Sequence, residues 1–350
     1  MRIVITGASG NLGTAILRRL ADDGHELIGV SRRAPEPVGP YSGVEWHEID
    51  LATPDADGLL APLLVGADAL VHLAWKLQPQ HDEAEMHATN VDGARRVFDA
   101  AAAARVGQLV VVSSVGAYSP GSKTHPAGED WPTGGIPTSS YSRHKCAVER
   151  QLDLVERDHP ALRVARVRPA LVFQRDAASE IGRLFLGSIP PKLVGQLRSP
   201  IVPLPSALTL QVIHADDLAD GIARIVQKRV TGAFNLAGDP GIRPRGLARL
   251  LGGRWLPVPA RALRALVDAS WRARIQPTEA GWLDLALGVP LMSTRRARTE
   301  LGWRPRVDSR DALRELLDGM RDEAGVPASA SLQPASPSSS SFSSDRAAER

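Results

Sequence analysis

The sequence contains a single cysteine, Cys146, in 350 residues. One thiol excludes an intrachain disulfide and makes a cysteine-based metal site implausible, which agrees with a reducing, cytoplasmic setting. Lysine is also scarce, because only five of the 42 basic residues are lysines and the rest are arginines scattered among acids. Since the formal net charge is only +3, we interpret the arginines as a solvated surface and not as a nucleic-acid-binding patch.

Long apolar runs are absent as well. No stretch approaches the roughly 18 residues that a membrane span requires. The first predicted strand begins at Arg2 and leaves no space for a targeting peptide ahead of it. No group of His, Asp and Glu has the spacing of a metal site. We therefore expect a soluble, cytoplasmic protein with no metal and with neither a membrane nor a nucleic-acid partner.

What the chain does contain is a regular alternation of short runs rich in Val, Ile and Leu with longer helical patterns. Continuous apolar strands separated by helices indicate a parallel sheet covered on both faces, and right-handed crossovers then give a Rossmann-like, doubly wound α/β fold. The predicted strands are Arg2 to Thr6, Glu26 to Val30, Val44 to Ile49, Ala69 to Leu73, Gln108 to Ser113 and Leu162 to Val167. The main predicted helices are Leu12 to Leu20, His81 to Ala104 and Ser140 to Val155.

The alternation becomes irregular after Arg168-Pro169 and resumes as a helix over His214 to Val226 and a strand over Gly232 to Ala237. We therefore predict a Rossmann domain over residues 1–169, to which 206–240 return. Residues 170–205 and 241–325 are predicted to form a smaller C-terminal substrate lobe. From residue 326 to 350 the chain is rich in Pro, Ser and Ala, which predicts a disordered tail.

Three glycines follow the first predicted strand and open the first helix with the spacing Gly-x-x-Gly-x-x-Gly. This spacing differs from the Gly-x-Gly-x-x-Gly fingerprint of many dinucleotide-binding proteins. The position is nevertheless the one in which loop amides and a helix N-terminus converge on a pyrophosphate. A purely structural turn would account for one or two of the glycines. The candidate cofactor-binding residues of this loop are Gly7, Ser9, Gly10, Asn11, Leu12 and Gly13.

The end of the second predicted strand bears on the identity of the cofactor. An acid there would bind a ribose 2′-hydroxyl, but the strand ends in Ser31-Arg32-Arg33. These side chains could hold a 2′-phosphate through charge-assisted hydrogen bonds, so NADP(H) is the preferred prediction and NAD(H) stays open. Alternatively, the two arginines are ordinary solvent-exposed residues that bind no cofactor. Asp50, at the end of the third strand, could accept a hydrogen bond from an adenine amino group or simply cap the strand.

A Tyr and a Lys lie four residues apart in Tyr141-Ser-Arg-His-Lys145. On a helix this spacing places both side chains on one face, about one turn apart, so the ammonium can lie near the phenol. A lysine in a chain that otherwise uses arginine invites a chemical explanation, because the two cations are not interchangeable. The pair is a candidate acid–base device for hydride chemistry on a carbonyl or alcohol, and a solvated helix face is the alternative.

Together these motifs resemble the extended short-chain dehydrogenases/reductases, of the broad NAD-dependent epimerase/dehydratase group. The resemblance covers roughly residues 1–240 well and the last lobe loosely. It is specific for fold and cofactor and poorly specific for substrate. Further matching segments are Val71-His-Leu-Ala74, Asn90-Val-Asp-Gly93, Val111-Val-Ser113-Ser114-Val-Gly-Ala-Tyr118, Arg168-Pro169, His214-Ala-Asp-Asp217-Leu-Ala219, Phe234-Asn-Leu-Ala237 and Leu301-Gly-Trp-Arg-Pro305.

The resemblance implies a role for each catalytic candidate. Ser114 matches the serine that hydrogen-bonds the reacting oxygen, with Ser113 as its nearest rival, and Tyr141 matches the proton donor or acceptor. Lys145 matches the residue that holds the nicotinamide ribose and lowers the tyrosine pKa. Moving a phenol pKa from about 10 toward neutrality requires roughly 4 kcal/mol, which Lys145 and an oxidised nicotinamide are expected to supply. The implied cofactor set includes Tyr141 and Lys145 as well as Leu51, Leu73 and Ala74, whereas His72 and His214 are expected to be packing or hydrogen-bonding groups.

Departures from the family pattern bear on the substrate. Relatives that act on nucleotide sugars often carry a phosphate-binding Arg where this chain has Leu210, although Arg175 and Arg183 could substitute for it. The pair Trp75-Lys76 also replaces the small residues usual after the His-Leu-Ala segment. An apolar pocket is suggested near the missing anchor by Phe185, Leu186, Ile189, Ile201 and Leu204.

We therefore expect an NADP(H)-preferring oxidoreductase that acts on a carbonyl or secondary alcohol of a small, fairly apolar molecule. The first alternative is a nucleotide-sugar epimerase or dehydratase, and the second is a non-catalytic NADP-binding sensor that binds protein partners. A sensor has no use for Ser114, Tyr141 and Lys145 together, so their retention argues against it. The sequence leaves open whether the protein forms a homodimer.

Overall fold

The computed structural model describes residues 1–78, 81–186 and 201–334. The strands are β1 (Arg2–Thr6), β2 (Glu26–Ser31), β3 (Val44–Glu48), β4 (Ala69–His72), β5 (Gln108–Val112), β6 (Arg163–Pro169), β7 (Leu171–Phe173), β8 (Ile201–Leu204), β9 (Val212–His214), β10 (Gly232–Leu236) and β11 (Arg254–Pro257). The α-helices are α1 (Asn11–Leu20), α2 (Ala56–Leu64), α3 (Glu83–His87), α4 (Gly93–Ala103), α5 (Ser140–Asp158), α6 (Ala178–Leu186), α7 (Ala215–Lys228), α8 (Pro244–Leu250), α9 (Ala260–Arg272), α10 (Gly281–Gly288) and α11 (Ser309–Arg321).

Seven of these strands form one parallel sheet in the described part of the chain, in the order β10-β6-β5-β4-β1-β2-β3. The strand order reverses between β1 and β4, because β2 and β3 lie to one side and β5, β6 and β10 to the other. In doubly wound sheets the crevice at the carboxyl ends of the strands beside this switch point is where ligands bind. The predicted doubly wound parallel α/β fold is confirmed.

Both faces of the central strands are buried, because each strand alternates its apolar side chains between two helical layers. On one face Ile5 packs with Ile16 of α1, and on the other Val4 packs with Phe98 of α4. All four side chains are at most 1% exposed. Fully burying a side chain of this size contributes about 1.5–3 kcal/mol, so the two layers hold the switch point rigidly.

The helix predicted over His81 to Ala104 is divided in the structure. It consists of α3, a π-helical segment Ala88–Asp92 and α4. The helix that carries the Tyr–Lys pair begins at Ser140, as predicted, and the Ser139 side chain caps it by accepting a hydrogen bond from the amide of Ser142. This cap fixes the register in which Tyr141 and Lys145 leave α5.

The C-terminal part adds two small parallel sheets, one of β7 and β9 and one of β8 and β11. The chain then returns to the Rossmann domain where the sequence predicts the start of a disordered tail. Ser329 and Leu332 are completely buried, and the Ser329 hydroxyl donates to the Ser9 carbonyl at 2.6 Å. Composition therefore placed the beginning of the tail too early, because two packed side chains within a Ser/Pro/Ala-rich segment are enough to hold it. Residues 335–350 lie outside the described part.

Candidate active site

Packing requires glycine at two positions of the loop between β1 and α1. Gly7 has φ +72°, and a Cβ there would lie 2.7 Å from the Ala74 amide nitrogen. A Cβ at Gly13 would lie 2.3 Å from the Ala8 carbonyl oxygen. The loop is thereby pressed against the end of β4 and the start of α1.

Gly10 is different, because a Cβ there would come no closer than 3.5 Å to another atom, the Gly7 carbonyl oxygen. The protein itself has space for a side chain at this position, so close approach by a ligand is the remaining reason for glycine. Gly10 is also the N-cap of α1 and offers no side chain to the free amides of the first turn. An uncapped N-terminus at the switch point fits a pyrophosphate, as the sequence predicts.

The other loop residues are held by distant segments. The Asn11 carbonyl and side-chain oxygens accept hydrogen bonds from the Gln174 amide at 2.8 and 2.7 Å, and Ser9 accepts from Ser329. Leu12 packs against the buried core. Sequence reasoning did not anticipate either contact, since the partners lie 163 and 320 residues away.

The end of β2 forms a tight turn. The Ser31 hydroxyl donates to the Arg33 carbonyl at 2.8 Å, and the Ala34 amide donates to Glu48 at 2.8 Å. Arg32 and Arg33 are exposed, and within the described ranges neither forms an ion pair. Their guanidinium groups are therefore free to meet an anionic ligand at this edge of the sheet.

Four further predicted cofactor-binding residues lie along the crevice. Asp50 accepts a hydrogen bond from the Ala52 amide at 3.0 Å, so one of its oxygens does cap the chain after β3. Leu51 is buried, with its carbonyl bound by Arg96. The Leu73 amide donates to the Thr6 carbonyl at 3.0 Å, and the Ala74 backbone lies against Gly7. Residues 73 and 74 thus form one wall of the glycine loop.

The structure brings Ser114 and Tyr141 together. The Ser114 hydroxyl faces the Tyr141 phenol, on which it acts to lower the pKa, and it accepts a hydrogen bond from the Gly116 amide at 2.9 Å. A Cβ at Gly116 would lie 2.9 Å from the Tyr141 ring, so glycine is needed for the ring to lie this close. Ser113 instead donates to Glu149 at 2.6 Å. Of the two serines, only Ser114 is directed at the phenol.

Lys145 lies on the same side of α5 as Tyr141, but its ammonium is held by other groups. The Nζ donates to the Val112 carbonyl at 3.0 Å and lies 3.3 Å from the centroid of the Trp75 ring, a cation–π contact. Its distance to the centroid of the Tyr141 ring is 5.8 Å. Trp75, which the sequence marked only as a departure from the family, therefore covers the lysine.

The pKa values of the pair differ from expectation. Burial raises the pKa of Tyr141 to about 12, with the Ser114 hydrogen bond opposing the shift. Burial also lowers the pKa of Lys145 to about 7, opposed by the charge of Glu149. The expected lowering of the Tyr141 pKa by the nearby ammonium is not seen, because the same buried site imposes desolvation on both charged forms.

A buried charge network lies directly behind this pair. Glu149 accepts from Ser113, from Arg166 at 3.1 Å and from Arg168 at 2.8 and 2.9 Å. Burial alone would raise the pKa of Glu149, but the hydrogen bonds and charges of Arg168 and Arg166 lower it to about 2. The network joins α5 to β6 and thereby positions the helix that carries the acid–base pair.

The two histidines of the family segments have structural contacts. His72 lies 2.7 Å from the Thr6 hydroxyl, and burial lowers its pKa to about 3. His214 accepts from the Asp216 amide at 3.1 Å, which caps α7. Neither contact places an imidazole at the Tyr141 phenol.

An apolar cavity opens beside the catalytic candidates, with about 470 Å³ of empty space when the open solvent at its mouth is included. Val115, which follows Ser114, lines it, and so does Trp282, whose ring lies 4.9 Å from the Tyr141 ring. The remaining lining residues are Lys123, Ala170, Leu171, Thr209, Leu210, Gln211, Leu285, Ala286, Val289, Pro290 and Leu291. The cavity walls come from segments that are far apart in the chain, and α10 was not predicted to contribute.

The pocket residues proposed from the sequence are mostly elsewhere. Phe185 does pack edge-on against Trp282, at 5.1 Å between ring centroids. Ile201, however, is 53% exposed, and Leu204 lies in β8, which pairs with β11. The Leu186 side chain and Ile189 lie outside what the structure describes. Proximity in sequence was a poor guide here, because this lobe is assembled by long-range pairing.

The arginines considered as substitute phosphate anchors are engaged elsewhere. Arg175 pairs with Asp322 at 2.6 Å, and Arg183 donates to the carbonyls of Ser331 and Gln333, both at 2.8 Å. Leu210, at the expected anchor position, faces the apolar cavity. Across residues 1–78, 81–186 and 201–334, no three His, Cys, Asp or Glu residues could together hold a metal ion. In the same ranges no helix is both long and apolar enough to span a bilayer.

Comparison with known proteins identifies the family. The model of the NAD dependent epimerase/dehydratase family matches residues 3–237. The chain belongs to this family. The resemblance inferred from the motifs is thereby confirmed, and the match covers both the glycine loop and the Tyr–Lys pair.

Individual family members differ in their activities. An uncharacterized protein of Mycobacterium tuberculosis is 26% identical over 329 residues, but the chain spans only 31% of its length. UDP-glucose 4-epimerase of Mycolicibacterium smegmatis is 27% identical over 345 residues, covering 93% of this chain and all of that protein. A 4-hydroxy-2-methyl-3-oxo-4-farnesyl-3,4-dihydroquinoline-1-oxide ketoreductase of Stigmatella aurantiaca is 27% identical over 335 residues, covering 90% of this chain and 96% of that protein.

Among solved structures, UDP-glucose 4-epimerase of Thermus thermophilus in complex with NAD superposes with a TM-score of 0.68. The alignment covers 92% of this chain and 99% of that chain at 21% identity. This likeness extends the shared fold through the C-terminal lobe. It does not distinguish an epimerase from a reductase.

Proposed function

We propose that the protein is an NADP(H)-preferring oxidoreductase that reduces a carbonyl, or oxidises the corresponding secondary alcohol, of a small and largely apolar substrate. The apolar cavity beside Ser114 and Tyr141 carries this proposal. Such a cavity orients a hydrophobic substrate with few polar contacts, as is usual for small-molecule sites. The full-length similarity to a ketoreductase supports the same reaction class.

The dinucleotide would lie across the switch point, with its pyrophosphate on the uncapped N-terminus of α1, and when bound it supplies or accepts the hydride. Ser114 would donate a hydrogen bond to the substrate oxygen and hold the carbonyl beside Tyr141. The phenol would give its proton to that oxygen during reduction and take it back during oxidation. Because burial favours the protonated phenol, Tyr141 is suited to act as the acid in the reductive direction.

Lys145 would hold the nicotinamide ribose once its ammonium leaves the Trp75 ring. Trp75 and Trp282 flank Tyr141 and would exclude water from the reacting oxygen. The free guanidinium groups of Arg32 and Arg33 support the preference for NADP(H), because a 2′-phosphate would receive charge-assisted hydrogen bonds from them.

A nucleotide-sugar epimerase or dehydratase is the second candidate, since an epimerase of this family aligns over its whole length. Against it, the Leu210 side chain is apolar and Arg175 and Arg183 are engaged by other groups, so none of these three positions offers a free cation to a diphosphate. Two phosphate charges could not enter an apolar cavity without groups that replace their lost water.

The test is a screen of ketones, aldehydes and nucleotide sugars in which NADPH absorbance and product composition are both followed. Oxidation of NADPH with formation of an alcohol is expected for an apolar carbonyl compound. Isomerised or dehydrated sugar without net cofactor change, together with micromolar binding of a UDP or dTDP sugar, would assign the protein to the second candidate.

A further inference from the structure

One cation points into the apolar cavity. Lys123 lines it, and in the part of the chain that the structure describes its ammonium donates to a single group, the Ala286 carbonyl, at 2.9 Å. Within the described residues no carboxylate lies within ion-pairing distance of it. The other described lining residues include no titratable side chain. The cavity therefore has one charged group, and that group lacks a counter-ion.

Burying an ammonium without a counter-ion costs free energy, because the charge loses hydration. Burial lowers the pKa of Lys123 to about 8, because nothing nearby compensates for the lost hydration of the charge. Glutamine could donate the same hydrogen bond to Ala286 without that cost. Lys123 is moreover one of only five lysines in a chain with 42 basic residues. A purely structural role leaves both observations unexplained.

An anionic group of a ligand would explain them. A carboxylate beside Lys123 would replace the missing hydration and form a charge-assisted hydrogen bond, while the apolar walls would cover a hydrocarbon body. One compact ammonium matches a monoanion and would not neutralise a diphosphate. The cavity reaches Val115 and Trp282, so the ligand body would extend toward Ser114 and Tyr141.

We propose that Lys123 is a specificity-determining residue that binds the carboxylate of the substrate, so that the substrate class is that of hydrophobic oxo acids and their hydroxy acid products. This inference rests on the proposed function for the reaction and on the cavity alone for the carboxylate. Lys123 takes no part in hydride or proton transfer. It fixes the end of the substrate that is remote from the reacting carbonyl.

The binding test uses octanoate and its neutral isostere octanamide, each titrated calorimetrically into the whole protein. The wild type is expected to bind octanoate at least about tenfold more tightly, equivalent to about 1.4 kcal/mol. K123M should abolish this preference, and K123R should retain most of it. K228M is the matched control, because Lys228 also donates to one backbone carbonyl, that of Glu300, but on the surface. Equal binding of the two probes, binding of neither, or a preference that survives in K123M would overturn the proposal.

A second measurement does not depend on a variant that folds. In the wild type, octanoate affinity should fall as pH rises through about 8, since the free ammonium then loses its proton, and octanamide affinity should stay constant. Binding near that pH should also take up protons, seen as a buffer-dependent heat. A pH-independent octanoate affinity would contradict the assignment.

Turnover then separates this inference from the proposed function. The substrates are oxooctanoates that differ in the position of the ketone, together with the matching oxooctanamides. K123M is expected to raise KM for the oxooctanoates at least tenfold more than KM for the oxooctanamides, equivalent to about 1.4 kcal/mol. It should change kcat little. If no carbonyl compound is reduced but the octanoate preference depends on Lys123, the reaction is wrong and the carboxylate site stands. If neutral ketones are reduced and the protein does not prefer octanoate to octanamide, the proposed reaction stands and the carboxylate site is wrong.

Discussion

At the scale of single residues, the catalytic candidates illustrate what a sequence can predict. The spacing of Tyr141 and Lys145 predicted a shared helix face, and both lie on that side of α5. Their protonation could not be predicted, because it depends on burial by Trp75 and Trp282, which come from other parts of the chain. The scarcity of lysine singled out Lys145, and the same signal would have found Lys123.

Replacing Tyr141 by Phe should lower turnover on the true substrate by a factor on the order of 100 or more, because no other group at Ser114 can cycle the proton. The fold and the dissociation constant for NADP should change little. Steady-state kinetics and calorimetry on the same preparation measure both. Wild-type turnover in the Phe variant would refute the assignment of the site.

Replacing Arg32 and Arg33 together by Ala should weaken NADP binding and leave NAD binding nearly unchanged, since only NADP carries the 2′-phosphate. Calorimetry with both dinucleotides measures the ratio of dissociation constants. R157A is a suitable control, because Arg157 is an exposed arginine far along the chain. Tighter binding of NAD than of NADP by the wild type would contradict the predicted preference.

At the scale of elements, sequence patterns located the strands of the main sheet to within about two residues, because strands buried on both faces read as continuous apolar runs. The C-terminal part of the structure was less predictable. Its short strands β7, β8, β9 and β11 pair over long separations, and no local pattern specifies those partners. The apolar cavity could not be derived for the same reason, since its walls come from segments that are far apart in the chain.

Glu149 joins two elements, and its loss should be severe. E149Q would leave Arg168 buried without its carboxylate partner and would remove the buried one of the carboxylates that contact Arg166, at a cost of about 3–5 kcal/mol in the free energy of unfolding. D153N is the control, because Asp153 contacts the same Arg166 but its side chain is 63% exposed, and it should cost under about 1 kcal/mol. Urea denaturation measures both.

The pH dependence of stability provides a check on the same residue. The pKa of Glu149 is about 2 in the folded protein, below the ordinary value of 4.5, so its contribution is present above 4.5 and is lost as pH falls toward 2. The difference in unfolding free energy between the wild type and E149Q should shrink over this window. A constant difference would show that Glu149 acts through packing instead of charge.

The glycine loop offers a paired test. G13A should lower thermal stability, because its Cβ would collide with the Ala8 carbonyl, whereas G10A should fold normally. G10A should instead weaken cofactor binding, since a methyl group would occupy the space that the pyrophosphate approaches. Thermal unfolding and NADP titration separate the two effects. Normal cofactor affinity in G10A would remove the argument for close approach at this position.

At the scale of the whole molecule, the site is completed by parts of the chain that lie far apart. Gln174 and Ser329 hold the glycine loop, and α10 supplies a cavity wall. S329A should therefore weaken NADP binding, because it removes the hydrogen bond to the Ser9 carbonyl. S331A is the control within the same segment, since Ser331 binds Arg183 through its backbone carbonyl, which the substitution retains. Calorimetry would contradict this role if S329A and S331A bound NADP equally well.

The contact between Ser9 and Ser329 has a consequence for biosynthesis. A ribosome makes the glycine loop first and must add 320 more residues before the loop's partner exists. During translation the nascent chain therefore carries a dinucleotide loop that is not yet held in place. We therefore expect the cofactor to stabilise chains that extend past Ser329 and to give little help to chains truncated before it.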